Sequence, residues 1–306
     1  MTGVHGDTTE GWPTREGVAG LFLKSDHLPM QWRCGPRVID LSRPVVMGIL
    51  NVTPDSFSDG GRYAITEAAL DRAAAMVAEG AAILDIGGES TRPGAEAVTE
   101  ATENERVVPV IERIARSLDV ALSIDTSKPG VMAAATAAGA CIVNDVYALR
   151  APGARECVAK ARVGVCLMHM QGEPRTMQQH PTYQDVVAEV GAFLSRQRET
   201  CIAAGIAPEA IALDPGLGFG KGLDHNMTLL KGLPEIVALG SPVLVGVSRK
   251  SFIGRILERP VQERLAGGLG LASLAVSMGA RIIRTHDVAA TSDAIRMVTA
   301  VMQAGR

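Results

Sequence analysis

Eight short apolar runs, each followed by polar residues and then by a helical pattern, repeat along the chain from residue 45 onward. The runs are continuously apolar rather than alternating, which is typical of strands buried on both faces of a parallel sheet. Eight strand-helix units in series predict an α/β fold, a closed TIM or (β/α)8 barrel. The runs lie at residues 45–50, 82–86, 120–124, 141–143, 163–168, 211–213, 243–247 and 281–284. The helical patterns lie at about 66–80, 103–118, 129–139, 152–161, 184–204, 224–232, 261–279 and 288–304.

An open, doubly wound parallel sheet is the alternative fold for such a repeat. It usually carries a GxGxxG turn after its first strand, and the sequence after residue 50 lacks one. The first 40 residues show no repeat, and their Gly, Pro and mixed charges predict an irregular extension with a short strand at 37–41 against the barrel floor. The chain is therefore predicted to have an N-terminal extension at 1–40 and one barrel domain at 41–306.

Composition and charge argue against several classes of protein. The 306-residue chain has a formal net charge of -3 and no basic block, so a nucleic-acid partner is not expected. Its five cysteines form no CxxC pair, which favours a reduced, cytoplasmic protein. The first residues lack the apolar core of a signal peptide. The uncharged stretch 265–280 is shorter than a typical membrane span and is interpreted as a buried helix.

Four carboxylate and amide side chains lie at the ends of apolar runs: Asp85, Asp125, Asn144 and Asp214. The carboxyl ends of barrel strands meet at one rim, where such barrels carry their chemistry. Asp and Asn can together bind a heterocycle that has both hydrogen-bond donors and acceptors. Capping of the following helix is the alternative role, and it explains one such residue better than it explains four.

Cationic side chains follow the last two runs, with Arg249 and Lys250 after the seventh and Arg284 and His286 after the eighth. TIM barrels frequently bind phosphate beside these strands, and Arg92 in the second loop is a further candidate. An arginine offers a fork for phosphate oxygens, and a lysine offers a point charge. Surface salt bridging is the alternative role. The positions at run ends favour an anion site.

The loop after the first run contains two candidate metal ligands, Asn51 and Asp59. Oxygen ligands beside a diphosphate suit Mg²⁺, which keeps several waters and binds few protein groups. His169 and Cys166 are the alternative metal pair, but two soft ligands without a third or fourth do not predict a transition-metal site. The first loop is therefore the predicted place for a metal ion.

The Gly-rich segment 216–222 superficially resembles a phosphate-binding loop. It is not a P-loop, because Gly222 follows Lys221 where Ser or Thr is required. Phe219 within the segment is predicted to flank a flat substrate instead. The chain also lacks the GxSxG motif of the α/β-hydrolases, so these two classes of site are not expected.

Two long segments carry a family resemblance. The segment 48–61, GILNVTPDSFSDGG, closely resembles the first signature of the dihydropteroate synthase family, and 85–94, DIGGESTRPG, resembles its second. The resemblance covers about residues 40–300. It implies a transferase of folate biosynthesis that couples 6-hydroxymethyl-7,8-dihydropterin pyrophosphate with 4-aminobenzoate and releases pyrophosphate. Shorter matches follow in the family's order at 124–129, 144–145, 213–221, 248–250 and 284–287.

The resemblance implies roles for individual residues. The pterin would be held by Asp125, Asn144, Asp214 and Lys250, with Met168 packing nearby. The 4-aminobenzoate site would comprise Thr91, Arg92, Pro93, Phe219 and Ser248. The diphosphate would be bound by Asn51, Arg284 and His286, with Mg²⁺ on Asn51 as cofactor and Asp59 helping to assemble the first loop around it. The catalytic groups would be Arg284, His286, Lys250 and Asp59.

The resemblance also bears on assembly and inhibition. The family usually forms homodimers, and the small residues of 265–280 offer one packing face. No residue interrupts 90–94, which predicts a 4-aminobenzoate pocket of the sulfonamide-sensitive kind. A methyltetrahydrofolate methyltransferase module and a non-catalytic pterin-binding homologue are the alternative functions. The first would not need the loop at 90–92 or the anion site at 284–286, and the second should have lost loop residues that are present here.

Overall fold

Parallel strands form the wall of the barrel. The computed structural model of the protein describes residues 31–52, 62–89, 98–173 and 176–304. Within these ranges the strands are β1 (Gln31–Cys34), β2 (Arg37–Asp40), β3 (Val45–Asn51), β4 (Ala81–Gly87), β5 (Ala121–Asp125), β6 (Ile142–Asp145), β7 (Gly164–Met168), β8 (Ile211–Asp214), β9 (Leu244–Gly246) and β10 (Ile282–Thr285). The last eight are hydrogen-bonded in the order β8-β7-β6-β5-β4-β3-β10-β9. A parallel bridge from Leu213 to Val243 joins the outer strands, so the predicted TIM barrel is confirmed.

Helices alternate with the barrel strands. In the described chain they are α1 (Arg62–Ala78), α2 (Glu100–Ser117), α3 (Pro129–Ala138), α4 (Ala154–Ala161), α5 (Val186–Ala203), α6 (Leu223–Lys231), α7 (Leu233–Val237), α8 (Ser251–Leu257), α9 (Leu265–Ser277) and α10 (Val288–Gln303). Pro129 occupies the first turn of α3, and Gly139, at φ +122°, ends it. The sequence does not predict α7 and α8, because helices this short hold too few periodic positions to recognise.

A hairpin of β1 and β2 closes the floor of the barrel. Its Trp32 is fully buried and donates a hydrogen bond from Nε1 to the carbonyl of Ala210 at 2.9 Å. Cys34 and Leu41 pack with it against side chains of the barrel strands. The strand predicted at 37–41 is therefore present, but its partner β1 lies where the sequence predicts irregular structure. The domain boundary at residue 40 stays a prediction.

The uncharged helix α9 is buried over only part of its length. Ala275, Val276 and Ser277 near its end are buried, whereas Leu265 at its start is 43% exposed. The prediction of a buried helix is therefore wrong for the first turn, where the helix presents apolar side chains to solvent. No helix in the described ranges is long and apolar enough to cross a membrane.

Candidate active site

The predicted binding residues gather at the carboxyl ends of the barrel strands. Asp125 and Asp214 are the last residues of β5 and β8, and Asn144 is the penultimate residue of β6. The register of β4 and β5 pairs Gly87, not Asp85, with Asp125. Asp85 therefore lies deeper in the barrel than the rim position that the sequence suggests.

A network of polar side chains crosses the barrel mouth and has Arg284 at its centre. Nε of Arg284 donates to Oδ2 of Asp85 at 2.6 Å, and its Nη2 donates to Oδ2 of Asp125 at 2.7 Å. The same Asp85 oxygen accepts from Nδ2 of Asn144 at 2.9 Å. Arg284, predicted as an anion ligand, is thus also bound to two carboxylates that fix the plane of its guanidinium.

Asp85 is the most enclosed member of this network. It is fully buried, and its Oδ1 atom has no hydrogen-bond partner among the described residues. A buried carboxylate is stable only when it is paired, and Arg284 supplies that pairing. The family resemblance assigns no ligand to Asp85. A charged residue inside the apolar run 82–86 is nevertheless the sequence signal that marks it as a paired, buried group.

Burial shifts the protonation equilibria of the network. Burial raises the pKa of Asp125 to about 7, although the Arg284 charge acts in the opposite direction, and the Asp85 carboxylate raises it further. Burial alone would lower the pKa of Arg284, but Asp85 and Asp125 outweigh it, so that pKa is raised above its usual value. The guanidinium is therefore permanently charged, whereas Asp125 exchanges its proton near neutral pH.

The buried Asp214 and the half-buried Lys250 are a second pair of charged groups in the mouth. Burial lowers the pKa of Lys250 to about 8, against the attraction of Asp214. Burial raises the pKa of Asp214, against the hydrogen bond that its Oδ1 accepts from the Gly216 N–H at 2.7 Å. The Lys250 ammonium also lies 4.2 Å from the centroid of the Phe219 ring, a cation–π contact. The pair supplies one donor and one acceptor, and the acceptor is almost fully removed from bulk water.

An apolar wall lies beside these polar groups. Met168, Met170, Met177 and Val146 form a buried cluster, and Phe219 packs against it. The sequence predicts Met168 near the heterocycle and Phe219 at the face of a flat substrate. Since the structure brings both into one cluster, a planar ligand would meet an apolar face and a polar edge at this site.

The loops after β9 and β10 are tied together. Oγ of Ser248 lies 3.0 Å from Nδ1 of His286 and accepts a hydrogen bond from the His286 backbone N–H at 3.2 Å. Arg249 forms a two-pronged salt bridge to Asp287, at 2.6 Å from Nη2 and 3.2 Å from Nε. Arg249 therefore has the alternative role considered for these cations, a salt bridge. The contacts of Ser248, in contrast, orient the imidazole of His286.

Asn51, the predicted Mg²⁺ ligand, is the exposed last residue of β3. Only a glycine separates it from Asp125, because a Cβ on Gly87 would lie 3.8 Å from Asn51 Oδ1 and 3.7 Å from Asp125 Cβ. No group of three or more His, Cys, Asp or Glu side chains in the described ranges could hold a metal ion. A single amide oxygen beside the charged network fits Mg²⁺, which keeps most of its waters and shares phosphate oxygens.

The alternative metal pair of His169 and Cys166 gains no support. His169 is buried, its Nδ1 lies 2.9 Å from Nζ of Lys221, and its ring packs edge-on against Phe193 at 4.9 Å. Burial lowers the pKa of His169 to about 3, and the Lys221 charge lowers it further. A neutral ring held by these contacts is part of the packing beneath the mouth.

The stem of the second loop is fastened by a charged cluster that no sequence pattern predicts. Lys128 donates to Glu89 and, at 2.6 Å, to the fully buried Glu103. Glu89 also accepts from the Val98 backbone N–H at 3.2 Å, so the cluster links residues on either side of 90–97. The predicted site residues outside the described ranges are Asp59, Thr91, Arg92 and Pro93.

The fold and the site define the class to which the chain belongs. A mouth with buried donors and acceptors beside an apolar wall fits a flat, polar heterocycle. A family model described as pterin binding enzyme matches residues 47–286, a range that contains the charged network and the apolar wall. The chain belongs to the pterin binding enzyme family.

Known relatives narrow this class. The dihydropteroate synthase of Escherichia coli strain K12 is 52% identical over 266 residues, which are 87% of this chain and 94% of the relative. The Yersinia pestis dihydropteroate synthase, solved in a sulfonamide drug complex, has a TM-score of 0.85 at 49% identity and covers 90% of this chain and 100% of that one. The Xanthomonas albilineans dihydropteroate synthase, solved with 4-aminobenzoic acid, has a TM-score of 0.84 at 49% identity over 90% and 98% of the two chains, and it has also been solved in complex with 7,8-dihydropteroate. Within its family the chain falls among the dihydropteroate synthases, which are transferases.

Proposed function

We propose that the barrel mouth carries out dihydropteroate synthesis by holding the pterin in the charged network and the 4-aminobenzoate beside the apolar wall. In this reaction the amine of 4-aminobenzoate displaces pyrophosphate from 6-hydroxymethyl-7,8-dihydropterin pyrophosphate and gives 7,8-dihydropteroate. The network of Asp85, Arg284, Asp125 and Asn144 carries the proposal, because it combines buried donors and acceptors in one fixed arrangement.

The pterin would be bound by Asp125, Asn144, Asp214 and Lys250, with Met168 packing on its face. Carboxylates accept hydrogen bonds from ring N–H and amino groups, while the amide and the ammonium donate to ring acceptors. Burial raises the pKa of both carboxyls and lowers the pKa of Lys250. A ligand that hydrogen-bonds to each of these groups in place of water would therefore stabilise their charged forms.

The diphosphate would lie beside Arg284, His286 and Asn51. Arg284 offers a guanidinium held in plane by two carboxylates, and Ser248 orients the imidazole. These groups would stabilise the charge that develops as the bond from the pterin methylene carbon to pyrophosphate oxygen breaks. Mg²⁺, when bound at Asn51, would neutralise part of that charge, and Asp59 would help to assemble the first loop around it.

The 4-aminobenzoate would pack on Phe219 and Ser248, together with Thr91, Arg92 and Pro93 of the second loop. Its arylamine is neutral at pH 7, so its nitrogen can attack the pterin methylene carbon without a strong general base. The nitrogen then releases one proton to solvent, and a carbon–nitrogen bond replaces the carbon–oxygen bond. The displacement is proposed to be dissociative, with bond breaking ahead of bond making.

An assay of product formation tests this function. Purified protein is mixed with the pterin pyrophosphate, 4-aminobenzoate and Mg²⁺, and both pyrophosphate and 7,8-dihydropteroate are followed. We expect equal amounts of the two products, loss of both when Mg²⁺ is omitted or Asp125 is changed to Ala, and competition between a sulfonamide and 4-aminobenzoate. Pterin binding without either product would contradict the proposal and favour the methyltransferase-like or non-catalytic alternatives.

We also propose that the chain forms a homodimer through its exposed apolar side chains. Met297 and Val301, four residues apart on α10, are 68% and 67% exposed. Single exposed apolar side chains are common on protein surfaces, whereas neighbouring ones that form a patch mark association sites. A second group lies around α8 and the start of α9: Ile256, Leu257, Val261 and Leu265.

Charge placed on α10 should disrupt this dimer. We expect the double variant Met297→Lys with Val301→Lys to elute at the monomer mass in size-exclusion chromatography with light scattering, while the wild type elutes at the dimer mass. Val38→Lys is the matched control, because Val38 is also exposed, at 55%, but lies on the floor hairpin. A wild-type monomer, or a double variant that remains dimeric, would contradict the assignment.

The location of the protein stays a proposal. All five cysteines are free, and four of them are buried. Free thiols are typical of a reducing compartment, which supports the cytoplasmic location that the sequence predicts. The proposed partners are two small substrates and a second copy of the chain.

A further inference from the structure

Lys221 is a buried lysine whose contacts are with uncharged acceptors. Its Nζ lies 2.9 Å from the Gly216 carbonyl oxygen, 3.0 Å from the Phe219 carbonyl oxygen and 2.9 Å from Nδ1 of His169. The residue is 2% exposed, and burial lowers its pKa to about 7. Burial of an ammonium is unfavourable unless hydrogen bonds within the protein replace those to water. The three acceptors therefore have to stay within hydrogen-bonding distance of Nζ.

The loop around Lys221 is pressed against the segment that follows β7. Gly216, Gly218 and Gly220 all have positive φ, at +70°, +83° and +59°. A Cβ on Gly216 would overlap the carbonyl oxygen of His169, and a Cβ on Gly220 would overlap that of Gln171. The loop therefore needs glycine at both positions. Its shape also depends on which groups donate hydrogen bonds to its own carbonyl oxygens.

Side chains from neighbouring elements satisfy most of these carbonyls. Gln178 donates to the Gly218 oxygen and Tyr183 to the Gly220 oxygen, each at 2.7 Å. Asn226 donates to the Gly222 oxygen at 2.6 Å. Asn226 also donates to the Lys221 oxygen at 3.1 Å and accepts from the Gly218 N–H at 2.6 Å. Lys221 instead reinforces the turn in which the Phe219 N–H donates to the Gly216 oxygen at 3.0 Å, because its Nζ donates to the carbonyl oxygens of both residues.

This link lies between two proposed substrate groups. Asp214 begins the loop and accepts from the Gly216 N–H at 2.7 Å, while the Phe219 ring lies 4.2 Å from the Lys250 ammonium. Lys221 connects the same Gly216 to Phe219. Together with the hydrogen bond from the Phe219 N–H to the Gly216 oxygen at 3.0 Å, it therefore fixes the position of the aromatic ring relative to the carboxylate proposed for the pterin.

We propose that Lys221 is a positioning residue for 4-aminobenzoate, acting through the backbone of Phe219. The inference rests on the proposed function, since it assumes that Phe219 forms part of the aminobenzoate site. Lys221 is buried behind the loop and is not proposed to contact either substrate. Three of the four groups proposed for the pterin, Asp125, Asn144 and Lys250, lie outside this loop, so loss of Lys221 should weaken aminobenzoate binding more than pterin binding.

The variant Lys221→Met keeps the length of the side chain and removes its donors. We expect the KM for 4-aminobenzoate to rise about tenfold, because displacements well under 1 Å at a binding wall have effects of this order, while the KM for the pterin pyrophosphate changes less than about twofold. Lys231→Met, an exposed lysine at the end of α6, is the matched control and should change neither. Equal changes in both KM values, or a lower melting temperature with both KM values unchanged, would overturn the proposal.

Chemical rescue separates positioning from general loss of structure. In Lys221→Ala, propylamine can replace the atoms from Cγ to Nζ. It should partly reverse the increase in the KM for 4-aminobenzoate, whereas propanol should not. Equal rescue by propanol, or no rescue by propylamine, would count against the proposal. If neither Lys221 variant folds, Tyr183→Phe removes a milder donor to the same loop and should raise the same KM about threefold; an unchanged KM would overturn the inference. Failure of the proposed function itself is distinguishable, because the wild type would then form no product.

Discussion

Arg284→Ala is expected to lower kcat/KM on the order of 100-fold or more, by analogy with the loss of a donor that stabilises a developing anion. The same change should destabilise the fold, because it leaves Asp85 and Asp125 without the guanidinium that neutralises them. Removal of one partner of a buried ion pair costs about 3–5 kcal/mol. Because the Arg284 side chain is 21% exposed, we expect the lower end of that range. Steady-state kinetics and denaturant unfolding measure the two effects.

Two controls separate the catalytic effect from the structural one. Arg284→Lys keeps the charge but cannot donate to Asp85 and Asp125 as a fork, so it should retain more stability than Ala while remaining slow. Arg116→Ala removes an arginine of α2 whose side chain is 76% exposed and should change neither quantity. An Arg284→Ala enzyme with normal turnover would exclude Arg284 from both the anion site and the charge network.

The barrel could be predicted from the sequence because buried parallel strands are continuous apolar runs. All eight runs became strands, and the long helices between them lie within a few residues of their predicted bounds. The failures have a common physical cause. Strand β1 and helices α7 and α8 are too short to show a period, and β1 is stabilised by the burial of Trp32 against the barrel, a contact between distant parts of the chain.

The sequence predicts which side chains lie near the barrel rim, but it does not predict how they pair with one another. Asp125, Asn144 and Asp214 lie at the rim because the carboxyl ends of the strands meet there. The contacts of Arg284 with β4 and β5 depend on closure of the barrel, which brings residues 199 and 159 positions apart to hydrogen-bonding distance. A local motif contains no information on that distance, so Arg284 is predicted only as an anion ligand. For the same reason, the sequence does not predict the contacts of Lys221 or the cluster around Lys128.

Asp85→Asn is expected to lower kcat/KM for the pterin pyrophosphate about 100-fold, because misplacing binding groups by about 1 Å has effects of this order, although Asp85 is not proposed to touch the ligand. Its Oδ2 atom accepts from both Asn144 and Arg284, so the carboxylate holds in place the donor proposed for the pterin and the donor proposed for the diphosphate. A neutral amide leaves the guanidinium half neutralised and introduces a donor near the buried Oδ1 position, which has no partner among the described residues. We expect a loss of about 3 kcal/mol in the free energy of unfolding.

The pH dependence gives the sharper test of this role. The Asp85 charge contributes to the raised pKa of Asp125, after burial and against Arg284. Removing that charge should lower the Asp125 pKa, and the acidic limb of kcat/KM should move to lower pH if ionised Asp125 binds the pterin. The pH dependence of the free energy of unfolding should change as well, because it depends on the same Asp125 pKa. A carboxyl whose folded pKa is raised stabilises the fold fully below its unfolded pKa of 3.8, and this contribution is lost as pH rises to about 7.

The wild-type free energy of unfolding should therefore contain a decline between about pH 4 and pH 7 that is smaller in Asp85→Asn. Urea titrations of both proteins across this window measure it. Asp71→Asn, at an exposed residue of α1, is the control and should follow the wild type. An acidic limb and a stability profile that both stay in place would mean that Asp125 does not respond to the Asp85 charge. The network would then be a scaffold rather than the coupled acid–base unit that its 2.6 and 2.7 Å contacts indicate.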